Sequence, residues 1–151
     1  MHFARLVIAA ACATAFSTSA LAESCANTTF SALAATSCLG SFSGNINGNA
    51  SEVTFLNAQF GGAYTYVGKS DDLGNGPFTS NPQVSKNGKL TFDTALSGLF
   101  VIGLKAANQY SFYQFNAQTP VSSLTFDSTA GVALNGRGIA QNLSHANLYM
   151  G

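Results

Sequence analysis

The sequence has no tryptophan, three prolines, two histidines and only 8% charged residues. Without tryptophan, an aromatic platform lacks the side chain with the largest ring face. The charged share is roughly a third of that in ordinary globular domains. Six basic residues balance six acidic ones, which leaves no electrostatic footprint for DNA or RNA. Beyond the N-terminal segment no apolar run approaches the ~20 residues that a membrane helix needs. The low charge is not a mark of disorder, because apolar residues make up 46% of the chain and disordered segments combine low hydrophobicity with high net charge.

What replaces charge is small and polar: 15 Gly, 13 Asn, 17 Ser and 13 Thr. At 151 residues the chain is one ordinary domain rather than two. Residues 1–22 separate from the rest. His2 and Arg5 give a weakly basic start, residues 6–16 carry no charge, and Ala20-Leu21-Ala22 is a small-x-small site of the kind signal peptidase accepts. The expectation is a signal peptide over residues 1–22 and a single secreted domain over 23–151, with no membrane span once the signal is removed. Two cysteines then remain, Cys25 and Cys38. An even pair in an oxidising compartment is expected to form a disulfide.

From residue 53 onward, short apolar or alternating runs are punctuated by Gly, Asn, Asp and Pro. The runs are 53–57, 63–69, 89–93, 99–104, 110–115, 122–127 and 143–150. Asn87-Gly88 is a strong two-residue hairpin signal. The Ala-rich stretch 29–37 is the one helix candidate. This pattern predicts an all-β fold, an antiparallel β-sandwich of seven to nine strands. Its apolar faces are expected to hold Phe55, Tyr66, Leu90, Phe92, Leu99, Val101, Leu104, Phe112, Phe115, Leu124, Phe126 and Leu148. In the terminal strand Leu148 is expected to be buried. His145, Asn147 and Tyr149 are expected on the opposite side from it with Leu143, His145 bonded to a neighbouring loop.

No constellation of residues points to catalysis. With His145 the one histidine after residue 22, a multi-His zinc site is excluded. Ser144 beside His145 looks like a nucleophile with its base, yet adjacent strand residues face opposite ways. Asp71 and Asp72, followed by Gly74, Asn75 and Gly76, resemble an oxygen-rich calcium loop but lack the EF-hand pattern. Glu52, Asp93 and Asp127 are carboxylates available for a glycosidase pair, with nothing in their surroundings to distinguish them. Tyr64, Tyr66, Tyr110, Tyr113 and Tyr149, with His145, form the candidate ligand surface. No cofactor is expected.

The segment Leu143-Ser144-His145-Ala146-Asn147-Leu148-Tyr149 resembles the LSHxxLY ending of bacterial PEP-CTERM, exosortase-sorted proteins. Cys38-Leu39-Gly40-Ser41-Phe42-Ser43-Gly44-Asn45 is similar to their C-x-G-x-x-x-G-N start, and Gly68-Lys69-Ser70-Asp71 to their G-K-x-D strand end. The stretch from Ser97-Gly98 to Lys105, followed by Tyr110-Ser111-Phe112-Tyr113-Gln114-Phe115, resembles their paired G-x-F-V-I-x-L-K-A and F-S-x-Y-x-F segments. The resemblance implies a bacterial extracellular domain of the cell envelope or exopolysaccharide matrix without established catalysis, with polysaccharide or other matrix proteins as partners. Members typically continue into a Pro-Glu-Pro motif, a membrane helix and a basic cluster, which this sequence does not include, so anchoring and exosortase processing are not carried over. Two alternative functions remain open at this point: a secreted hydrolase centred on His145, and a calcium-dependent adhesion module using Asp71 and Asp72.

Overall fold

The computed structural model describes residues 24–151 apart from 73, 83–85, 128, 130, 133 and 136. The signal peptide expected over residues 1–22 lies outside the described residues. After a 3-10 turn at Cys25–Asn27 come β1 (Phe30–Ser31), β2 (Ser37–Ser43), α1 (Ala50–Phe60), β3 (Thr65–Lys69), β4 (Gly88–Ala106), β5 (Gln109–Phe126) and β6 (Leu143–Met150). All pairings are antiparallel, and the sheet runs β1-β5-β4-β6-β3 with β2 also on β5. The fold is all-β and sandwich-like, as the alternation of apolar residues predicts.

Among the described residues six strands form where seven to nine were expected, because the sheet bends instead of breaking. Residues 89–93 and 99–104 belong to one strand, β4, and residues 110–115 and 122–127 fall on β5, which ends at Phe126. The β4–β5 register shifts between Thr91 and Leu96 and again between Leu96 and Gly98. Such irregularities kink a ladder without ending it. The bend is sharp: the Phe92 and Phe100 rings lie 6.4 Å apart, whereas eight residues of straight strand would separate them by roughly 27 Å. The far end of the hairpin thus folds back over its own base. Between the two halves Leu90, Phe92, Phe100, Ile102, Tyr113, Phe115, Leu124 and Phe126 form the main core.

Asn87-Gly88 is not a two-residue connection. Thr79 N–H donates to Thr91 O and Asp93 N–H to Pro77 O, so the segment pairing with this part of β4 lies too far back. The tight hairpin is Ala107-Asn108, between the paired residues Ala106 and Gln109.

The helix lies elsewhere than expected. Residues 29–37 hold β1 and a connection to β2, while the run 53–57, read as a strand, sits inside α1. Asn49 caps α1 by accepting from Glu52 N–H at 3.0 Å. The spacing Asn-x-x-Glu is a helix-start signature. Gly61, at φ 68°, closes the far end, where a left-handed residue is favourable. Val53, Leu56 and Phe60 share the face that packs on Val101, Phe112 and Tyr149. Phe55 falls off that face and is 37% exposed. Leu99, expected in the core, is 42% exposed. Tyr66 is half-buried, while the other nine expected core residues, Leu148 among them, are buried.

The sulfurs of Cys25 and Cys38 lie at disulfide-bonding distance, with Cα atoms 5.9 Å apart. A bulge in β6 separates the pairings Lys105–His145 and Ala106–Leu143. It moves Leu143 away from the side of His145 and into the main core with Ala146 and Leu148.

Candidate functional site

Each strand offers alternate side chains to opposite faces of the sheet. Phe100, Ile102 and Leu104 of β4 join the main core, whereas Val101 faces α1. On the α1 side β6 contributes His145, Asn147 and Tyr149, all buried. These three hold the segment that leads into the helix. His145 Nε2 lies 3.1 Å from Ile46 O. A carbonyl only accepts, so Nε2 carries the proton. Tyr149 Oη donates to Glu52 Oε1 and accepts from Asn147 Nδ2 at 3.0 Å. Glu52 also accepts from Asn47 N–H at 3.0 Å and Gly48 N–H at 3.1 Å. Gly48 has φ 70°, and a Cβ there would sit 2.3 Å from the Tyr66 ring. No other residue type fits that crossing.

The anchored segment forms one wall of a cleft of about 240 Å³. Asn45, Asn49, Ser51 and Glu52 supply polar groups, Phe55 rises from α1, and Tyr110 with Phe112 of β5 complete the lining. Asn45 Nδ2 donates to Asn47 Oδ1 at 3.2 Å, and Ser51 Oγ to Asn49 Oδ1 at 2.6 Å. The Asn45 carbonyl and the Asn49 NH2 have no protein partner among the described residues. The rings continue past the cleft: Phe42 lies 5.6 Å from Phe55 and 5.5 Å from Tyr110. Apolar rings with a few directed polar groups are the usual make-up of a small-ligand site.

Three other clefts differ in chemistry. One of about 290 Å³ beside the disulfide is lined by Phe30, Tyr113, alanines and hydroxyl residues, without charge. Another, near Val67, Pro77 and Met150, is mainly apolar. The third, at Lys86, Ala107, Asn135 and residues 139–142, has no aromatic wall.

The five tyrosines do not form one surface. Tyr64, Tyr113 and Tyr149 are buried, and Tyr113 belongs to the main core on the opposite face from the other four. Tyr64 Oη accepts from Gln114 Nε2 at 2.6 Å. Tyr66 packs on Tyr149 at 5.5 Å, which leaves Tyr110 as the tyrosine that lines the cleft. Burial pushes the Tyr113 hydroxyl up to about 12 and raises that of Tyr149, with Glu52 acting in the same direction.

Asp71 is engaged with Lys69 at 3.3 Å and faces His145 Nδ1 at 3.8 Å. Asp72 O accepts from Gly76 N–H at 2.9 Å, closing a turn. No group of three or more His, Cys, Asp or Glu residues is placed to hold a metal among the described residues. Glu52, Asp93 and Asp127 share no cleft; Asp127 binds Thr29 through both carboxylate oxygens, at 2.9 and 2.8 Å. Burial holds the His145 imidazole below its ordinary value, against the pull of Ile46 O and Asp71 and aided by Lys69 and Lys105.

Sequence reading marked Tyr110 and Glu52 as site residues but not Asn45, Asn49 or Ser51; it placed Phe55 in the core, where the structure leaves it exposed, and Phe112, which is buried as expected while backing the cleft. The Asn49-x-x-Glu52 spacing was the available signal, since it turns residues 50–60 into a helix and swings Phe55 outward. No helix of the described residues is long and apolar enough to cross a membrane. Comparison with protein-family models, curated proteins and solved structures gave no match.

Proposed function

We propose that this is a secreted, non-catalytic bacterial protein of the cell envelope or exopolysaccharide matrix, and that it binds polysaccharide in the cleft between α1 and β5. The observation that carries the reading is the cleft's combination of ring surface from Phe55 and Tyr110, backed by the buried Phe112, with amide, hydroxyl and carboxylate groups from Asn45, Asn49, Ser51 and Glu52. A sugar ring has apolar C–H faces and an equatorial rim of hydroxyls, and this lining offers a counterpart to each. The sequence resemblance to PEP-CTERM proteins adds the matrix setting. A non-catalytic role is further supported by His145, whose Nε2 faces Ile46 O and whose ring lies largely out of solvent.

The test is retention on purified exopolysaccharides, compared with Phe55→Ala. Phe55 is 37% exposed and outside the buried core, so the variant should keep its melting temperature while losing retention. A Phe55→Ala protein retained as well as the parent on every polymer would remove the cleft from the reading. Hydrolysis of a polymer that stops in a folded His145→Ala variant would replace the reading with a hydrolase. A melting temperature that rises in millimolar calcium would favour the adhesion module.

A further inference from the structure

The cleft contains one charged side chain, Glu52, and the ion pairs among the described residues do not include it. Its partners are two backbone N–H groups and the Tyr149 hydroxyl, all uncharged. A carboxylate offers about four acceptor positions, two on each oxygen. Gly48 N–H and Tyr149 Oη occupy Oε1, and Asn47 N–H occupies one position on Oε2. One position on Oε2 is therefore open in a residue that lines the cleft. A carboxylate unpaired with any cation, set beside aromatic rings, attracts an ammonium group by charge and by the rings' quadrupoles.

We infer that the cleft takes cationic sugar residues, the free amino groups of a de-N-acetylated amino-sugar polymer, with Glu52 and the Phe55 and Tyr110 rings seating the ammonium. This rests on the polysaccharide reading above and sharpens it to a substrate class. Acetylation removes the positive charge and adds bulk, so a neutral acetylated polymer is discriminated against. An anionic polymer is repelled by Glu52. With a formal net charge of zero, the protein has no strong overall field to attract a polycation diffusely. Selectivity for the amine must then come from the site.

The experiment is titration calorimetry of the full chain with a glucosamine hexamer, its N-acetylated counterpart and an alginate oligomer, at about pH 5.5 where the amines carry charge. The amine form should bind about tenfold tighter than the acetylated form, and the preference should shrink to about twofold in Phe55→Ala. Glu52→Gln should lose the preference while keeping weak binding to both. If that variant fails to fold, the ligand comparison on the parent protein still decides. Equal affinity for the amine and acetylated hexamers, or a preference unchanged by Phe55→Ala, would overturn the cationic assignment and leave polysaccharide binding standing. Binding of none of the three, together with no retention on any exopolysaccharide, would overturn the polysaccharide reading itself.

Discussion

On one side of β4, Phe100, Ile102, Leu104 and Ala106 meet the folded-back end of the hairpin in an almost wholly apolar interior. On the other side of the same sheet, Tyr149, Asn147 and His145 are equally buried, yet each makes directed hydrogen bonds to neighbouring groups. The first face is held by area removed from water, which has no preferred direction. The second is held by hydrogen bonds whose donors and acceptors must meet at a set distance and angle. Stability should therefore reside mainly on the dry face, and the position of the cleft wall on the polar one.

The largest test of this division is Phe100→Ala. The side chain is fully buried and stacks on Phe115 at 5.0 Å, so truncation should reduce stability by about 3–5 kcal/mol, read by denaturant unfolding. Replacing both Cys25 and Cys38 by Ala should reduce it by about 3 kcal/mol, because the bridge spans a sequence separation of 13 and restrains the unfolded chain. Tyr149→Phe keeps the ring and removes the hydroxyl, which bonds both Glu52 and Asn147. The expected loss is about 1–3 kcal/mol, with a clear effect on ligand binding, whereas Phe100→Ala should spare affinity in whatever fraction remains folded. Equal effects of the two variants on affinity would erase the distinction between the faces.

The smallest effect is that of pH on the polar face. Burial lowers the folded-state pKa of His145, so the unfolded chain takes up a proton first as pH falls. Stability from this group is full above the unfolded value of about 6.5 and declines below it, levelling once pH drops beneath the folded value. Melting temperature measured from about pH 7 to about pH 5 should fall more steeply in the parent than in His145→Gln. Parallel curves would mean that the ring titrates as it does in the unfolded chain.

The β class was legible because alternation at 64–67 and 122–126 reports local geometry, and the apolar stretch 99–104 fits a covered central strand. Strand number was not, because Leu96 to Gly98 reads as an interruption while the ladder runs through it with a register shift. Helix α1 was misread for a different reason: Val53, Thr54 and Phe55 favour strands as a short run, and the capping residues that decide the matter lie outside it. The tyrosines could be found by residue type, and strand alternation separates Tyr113 from Tyr110, but which of the two faces is buried under the folded-back hairpin is a tertiary property. His145 is the nearest success, since the structure gives it the loop bond expected of a polar residue in a covered strand.

The pairing of Cys25 with Cys38 has a mechanical consequence. Strand β1 lies wholly within the closed loop, and β2 begins beside its far end. Tension entering from the N-terminal side at Cys25 passes through sulfur directly to Cys38, bypassing β1 and its two paired residues. The load arrives on β2, which is laid against β5, and continues through β4 to β6. Under traction, resistance would thus be governed by the ladders at the centre of the sheet, with the weakest strand shielded from the pull.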